Sequence, residues 1–151
     1  MNRPPELRRG TSADLHGIVE LLVTAGLPTA DLADIEHLDT WVLNVGSSLV
    51  GAVALERYGS EGLLRSLVVA PEHRKRGYAA RLVDRLETDA RAAGIERLVL
   101  LTETAEAFFG CRGYGSIDRN SVSESLRQSA EFRSLCPVSA RCMSKQLRIL
   151  S

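Results

Sequence analysis

The chain has 151 residues, with 19 basic and 19 acidic side chains and 44% hydrophobic residues. One domain's length is enough to bury roughly 70% of the unfolded surface, and a charged fraction of 25% excludes a disordered chain. A net charge of zero removes the usual electrostatic case for a nucleic-acid or anionic-membrane partner. Cys111, Cys136 and Cys142 are odd in number and share no C-x-x-C spacing, so reduced thiols in a cytoplasmic protein are expected. The N-terminal residues lack the apolar run of a signal peptide, and no stretch approaches the roughly 18–20 apolar residues of a membrane span.

In chain order, Glu6–Arg9 reads as a short strand. Thr11–Asp14 reads as a helix start, followed by Leu15, Ile18, Val19 and Leu22 at helical spacing and stopped by Gly26 and Pro28. Residues 27–39 are irregular or short helix, acidic through Asp31, Asp34, Glu36 and Asp39. The period then changes. Thr40–Val45, Leu49–Tyr58 and Leu63–Ala70 predict three strands, joined by turns at Gly46–Ser48 and Gly59–Gly62, in an antiparallel meander. Gly77–Ala93 predicts the clearest helix, with Ala79, Leu82, Val83, Leu86, Ala90 and Ala93 on one face and Gly94 after its end. Arg97–Thr102 is an apolar strand suited to a central position. Ala105–Arg112 (helix), Tyr114–Asp118 (strand), Val122–Arg133 (amphipathic or irregular) and Ser139–Leu147 (strand) complete an α/β chain with a mixed sheet and helices on both sides. The whole chain, 1–151, reads as a single domain.

The stretch that carries chemistry runs from Leu67 to Ala80. A buried strand ends at Pro71, a basic loop holds Arg74, Lys75, Arg76 and Gly77, and a long helix begins directly after it. A helix N-terminus offers unpaired N–H groups and a positive dipole end, which suit a pyrophosphate. Gly77 tolerates positive φ and close approach of a phosphate. Taken alone, an ordinary basic loop fits these residues as well.

Arg74-x-x-Gly77-x-Ala79, preceded by Leu67-Val68-Val69-Ala70-Pro71, resembles the acetyl-CoA motif of the GNAT acyltransferases, and the element order resembles that fold over nearly the whole chain. The resemblance implies a mostly antiparallel mixed sheet of six to seven strands, with a splay between the fourth and fifth. It implies that acetyl-CoA is the co-substrate and that no metal is needed. Backbone amides from Arg74 through Lys75, Arg76, Gly77 and Tyr78 to Ala79 would cradle the pyrophosphate. The strand Leu67, Val68, Val69 would lie along the pantetheine arm, Leu67 and Val69 pairing with it. An acceptor amine would attack the thioester directly. The enzyme must then remove a proton from an ammonium and return one to a thiolate.

The family's usual proton-donating tyrosine is absent. Its place is Phe109, which has no proton to give but can pack on the cofactor arm; Cys111 is a candidate replacement acid, with a small buried core residue as the plain alternative. Candidate bases are Glu56 and Glu103, each at a strand end where plain solvation is the bland alternative. His16, His37 and His73 lack partners at metal-ligand spacing.

The run Leu100-Leu-Thr-Glu-Thr-Ala-Glu-Ala-Phe-Phe109 with Gly113-Tyr114 resembles N-acetylglutamate synthase-type GNAT domains, and more closely the small GNATs of arsenic-resistance operons, which share Leu63–Arg74 and the tail Ser129–Pro137. That implies a small amino-acid-like acceptor in arsenic or toxic-analogue resistance. Arginine suits an acceptor carboxylate. Arg65 and Arg133 are the candidates, with Ser66 and Ser134 as hydroxyl donors, although 17 of the 19 basic residues are arginine and a surface role is the plain alternative. Glu103 stands where glutamate-acetylating relatives carry arginine, which disfavours L-glutamate itself. A thiolate pair Cys136/Cys142 for arsenite is a minor alternative to packing. The competing functions are acetylation of a protein N-terminus or lysine, and a non-enzymatic acetyl-CoA or arsenite-binding module; a P-loop is excluded by the missing G-x-x-x-x-G-K-S/T. A homodimer is left open.

Overall fold

The computed structural model describes residues 4–27, 29, 38–129, 132 and 139–147. Pro28, Asp31, Asp34, Glu36, His37, Arg133, Ser134 and Cys136 lie outside the described residues. Among the described residues, seven strands and four α-helices follow in order: β1 (Glu6–Arg9), α1 (Leu15–Thr24), β2 (Leu38–Val45), β3 (Ser48–Tyr58), β4 (Glu61–Val69), α2 (Tyr78–Ala92), β5 (Arg97–Thr102), α3 (Glu106–Gly110), β6 (Gly115–Ser116), α4 (Glu124–Arg127) and β7 (Arg141–Gln146). The strands are hydrogen-bonded in the order β1-β2-β3-β4-β5-β7-β6. The pairings β1–β2, β2–β3, β5–β7 and β6–β7 are antiparallel, and β4–β5 is parallel. This mixed, mostly antiparallel sheet is the architecture the sequence implied.

Two compact units divide these elements, one from residues 1–56 and 65–89, the other from 57–64 and 90–151. In the first, Ile18 and Leu22 of α1 meet Val42, Ala52 and Val68 from three strands. The helical spacing of α1 puts both side chains on one face, which is why the amphipathic segment folds as it does. In the second, Leu63 and Val99 pack with Val122, Leu126 and Cys142. Leu98, Val99 and Leu100 are all at most 1% exposed. Consecutive buried residues mean that both faces of β5 are covered, as its apolar run requires.

Several boundaries differ from expectation, four of them for a visible physical reason. The strand β4 starts at Glu61, two residues inside the segment that composition marked as a turn. Glu61 accepts from Arg97 Nε at 3.0 Å and from the Ser123 backbone N–H at 3.0 Å, and these tertiary bonds anchor the strand's start. The turn is Gly59-Ser60 alone, with Gly59 at φ 64°. The strand β2 starts at Leu38, where its ladder with β3 begins opposite Glu56. The helix α2 starts at Tyr78, since Gly77 has φ 79° and cannot be helical. The expected strand 114–118 shrinks to Gly115–Ser116. Asp118 accepts from the Asn120 N–H at 2.8 Å and starts a short 3-10 turn, a local bond that competes with the ladder. The segment 122–133 contains α4, capped by the Ser123 hydroxyl accepting from the Leu126 N–H.

The start of α1 carries a pH-dependent tie. Arg8 donates to both carboxylate oxygens of Asp14, at 2.9 and 2.8 Å, and the Thr11 N–H donates at 2.8 Å. The Arg8 bond, with the Thr11 bonds assisting against burial, holds the Asp14 carboxyl down at about 2, from an ordinary 3.8. A depressed carboxyl contributes stability at pH values above its unfolded pKa and loses it as pH falls through the folded value. Asp14→Asn should therefore cost about 1 kcal/mol at pH 7, roughly 2–4 °C in Tm. Thermal melts of both proteins should converge between pH 4 and 2; a gap independent of pH would refute the assignment.

Candidate functional site

The loop before α2 is built by its own backbone. After β4, Pro71–His73 forms a 3-10 turn in which the His73 N–H donates to the Ala70 carbonyl at 2.9 Å. Arg74 turns back, and its Nε donates to the Val69 carbonyl at 3.0 Å. The backbone of Val69 is expected along the pantetheine arm, and its carbonyl already accepts this bond from the loop. Lys75 and Gly77 both have positive φ, 65° and 79°. A side chain at 77 would meet nothing within 4 Å, so backbone conformation rather than space demands glycine. The first α-helical bond recorded at this end runs from the Arg81 N–H to the Gly77 carbonyl at 3.1 Å. By helix geometry the preceding amides, at Tyr78, Ala79 and Ala80, have no intrahelical acceptor. Arg74, Lys75 and Arg76 are exposed around them. Arg76 lies 3.2 Å from His73 Nδ1, and the His73 ring stacks on Tyr78 at 6.2 Å. The result is a cationic loop at the positive end of a 15-residue helix whose first amides lack intrahelical acceptors, the chemistry of a phosphate site.

A second feature of the same unit lies on β3 and β4. Glu56 and Arg65 form an ion pair, Arg65 Nη1 to Glu56 Oε1 at 2.5 Å. The Arg65 side chain is 0% exposed and that of Glu56 is 7%. Neither bland alternative holds: Glu56 is not a solvated strand end, and Arg65 is not a surface arginine. The next residue, Ser66, has φ 60°, a conformation that costs a non-glycine residue about 1–3 kcal/mol and clusters at functional sites. The burial of β4 changes there too: Gly62–Arg65 are buried, Ser66 and Leu67 half-buried, Val68 and Val69 buried again. Val68 packs into the α1 cluster. Sequence reasoning singled out Glu56 and Arg65 separately and missed their pairing. Its signal was the Gly59-Ser60 turn, which brings positions 56 and 65 within diagonal reach on one face of a hairpin.

In the other unit, the β4–β5 ladder covers only Glu61–Leu63 and Arg97–Val99. Both strands continue beyond it, β4 to Val69 and β5 to Thr102. Glu103 follows β5, is exposed, and accepts from the Ser139 hydroxyl at 3.4 Å. Phe109 is buried, its ring edge-on to Phe108 and Tyr114 at 5.0 and 5.2 Å. Cys111 is exposed; Cys142 is buried, and burial pushes its thiol pKa up. An open cavity of about 570 Å³ beside α3, lined by Glu106, Ala107, Gly110, Tyr114, Ser116 and Met143, had no signal in the sequence. Among the described residues, no group of three or more His, Cys, Asp or Glu side chains is gathered for a metal. Among the same residues, no helix is long and apolar enough to cross a membrane.

The acetyltransferase (GNAT) family model matches residues 18–114. The chain belongs to this family and is an acyltransferase. An amino-acid acetyltransferase of Ralstonia nicotianae is 30% identical over 130 residues, covering 81% of this chain and 29% of that protein. The chain thus spans about a third of the length of the curated relatives it matches. Among solved structures, N-acetylglutamate synthase from Neisseria gonorrhoeae, complexed with coenzyme A and N-acetylglutamate, matches with a TM-score of 0.81 at 22% identity, over 99% of this chain and 36% of that one. Rv2747 from Mycobacterium tuberculosis, in a complex containing CoA, matches with a TM-score of 0.77 at 23% identity, over 93% and 98%. These likenesses establish the fold.

Proposed function

We propose that this chain is one acetyl-CoA-dependent N-acetyltransferase domain over residues 1–151, acting on the amino group of a small amino-acid-like acceptor. The observation that carries the reading is the loop 74–79, in which left-handed Lys75 and Gly77 precede the N-terminus of α2, whose first amides have no intrahelical acceptor. A pyrophosphate fits that donor set. When bound, the co-substrate supplies an acyl thioester. Amides of Lys75, Arg76, Gly77, Tyr78 and Ala79 hold its phosphates, the expected Arg74 amide instead donating to the Pro71 carbonyl at 3.4 Å; the backbone of Leu67, Val68 and Val69 lines its arm, and Phe109 packs against it. The Glu56 carboxylate takes the acceptor's ammonium proton; exposed Glu103 is the weaker candidate for that step. Ser66, with Arg133 and Ser134, serves the acceptor. The amino-acid acceptor is supported by the Ralstonia nicotianae relative and by the ligands of the Neisseria structure. Arsenic or toxic-analogue resistance rests on the resemblance in Leu63–Arg74, Leu100–Phe109 and the tail Ser129–Pro137. The cytoplasm is its proposed location.

Free-CoA release with acetyl-CoA and a panel of amino acids, including phosphorus- and arsenic-containing analogues of glutamate, tests this function. One acceptor should turn over well above background. Binding of acetyl-CoA without any turnover would overturn the small-acceptor reading in favour of a sensor or a protein substrate.

Phe109→Tyr restores the phenol that many relatives use. Its buried aromatic setting and a thiolate leaving group that tolerates the absence of a dedicated acid predict a change in kcat below about tenfold, against the 10²–10⁴ that a positioned acid supplies. Steady-state kinetics check it; a gain of hundredfold would show that the missing acid limits the enzyme.

A further inference from the structure

We propose that Arg65 is a positioning residue for the base Glu56 and not a ligand of the acceptor, an inference that rests on the acetyltransferase reading above. The two side chains differ in what they offer. The Arg65 side chain is wholly enclosed, while Glu56 keeps 7% of its side-chain surface. A molecule arriving from solvent meets the carboxylate, not the guanidinium behind it. The contact between them is a short charge-assisted bond from Nη1 to Oε1. It fixes the carboxylate's orientation and supplies the counter-charge that a buried anion needs. A base must be both an anion and correctly aimed before it can take a proton. Arg65 meets both needs from inside the unit.

Two neighbouring observations favour a positioning role over mere packing. Buried ion pairs are poor stabilisers, since apolar pairs of similar volume often serve as well or better. Yet here the pair is kept, beside a residue in a strained conformation. Ser66, at φ 60°, directly follows the run of buried residues Gly62–Arg65, and strained residues of this kind cluster at functional sites.

The test compares Glu56→Gln, Arg65→Met, Arg65→Lys and the double variant Glu56→Gln/Arg65→Met in the full chain. The readout is free-CoA release with acetyl-CoA and the panel amino acid that the unaltered protein acetylates fastest. Glu56→Gln and Arg65→Met should each lower kcat by about tenfold or more, with KM for the acceptor and for acetyl-CoA held within about threefold. Arg65→Lys, which keeps the charge, should recover most of the loss. The double variant should lose no more than Glu56→Gln alone, because Arg65 acts only through Glu56. Arg65→Lys keeps the buried charge, so it carries the test if Arg65→Met fails to fold, and a circular-dichroism melt of each variant separates loss of fold from loss of the base. A rise of tenfold or more in acceptor KM for Arg65→Met at unchanged kcat, or a further tenfold loss in the double variant, would make Arg65 an acceptor ligand and overturn the proposal. An unchanged kcat in Glu56→Gln would remove the base and the positioning role with it. Failure of the unaltered protein to acetylate any panel member is the separate failure of the acetyltransferase reading.

Discussion

Gly77→Pro should weaken acetyl-CoA binding by about hundredfold or more, and Arg74→Glu by a similar factor, with isothermal titration calorimetry as the measurement. The two changes act by different routes. Gly77 has φ 79°, and proline is locked near −65°. The loop must refold around the substitution, and the amides entering α2 lose their common aim. Arg74→Glu leaves the backbone conformation allowed but removes the Nε bond to the Val69 carbonyl. It also puts an anion beside the proposed phosphates, where repulsion replaces attraction. A hundredfold loss corresponds to about 2.7 kcal/mol, which loss of aligned charged hydrogen bonds readily supplies. Arg74 is exposed, so its variant should melt close to the unaltered protein. Near-normal affinity in both variants would remove the phosphate site from this loop.

Trp41→Ala should cost about 3–5 kcal/mol in unfolding free energy, a large part of the 5–15 kcal/mol of a typical domain. Trp41 is 1% exposed and ties three elements of its unit together. Its indole Nε1 donates to Asp89 Oδ2 on α2 at 2.7 Å, and Arg85 donates to the same oxygen at 3.1 Å. Arg9 of β1 sits over the ring at 4.9 Å and bonds Asp39 at 2.8 Å. Removing the indole opens a cavity and costs the carboxylate one of its two donors. Trp41→Phe fills most of the cavity but cannot donate, so a smaller cost of about 1–3 kcal/mol is expected. The chain has a single tryptophan, and urea unfolding must therefore be followed by circular dichroism. A cost under 1 kcal/mol for Trp41→Ala would show that the hub carries little of the fold.

Local signals settled much of this protein. The apolar spacing of α1, the face of α2, the consecutive apolar residues of β5 and the Arg74-x-x-Gly77-x-Ala79 loop are properties of neighbouring residues. Each states its own geometry: a helical period, a doubly covered strand, a left-handed glycine before a helix. The resemblance to the GNAT family rested on that motif and the element order, and the family match over residues 18–114 shows it. What the sequence could not decide depends on residues far apart in the chain. Glu61 became a strand residue because Arg97 and Ser123 bind it. The segment at 114–118 lost most of its strand to the Asp118 turn. Above all, Glu56 and Arg65 each looked like ordinary charged residues at strand positions. Only the folded hairpin brings them to 2.5 Å and encloses the guanidinium. Charge tells which groups attract, but burial decides whether the attraction is worth anything, and burial is a property of the whole fold.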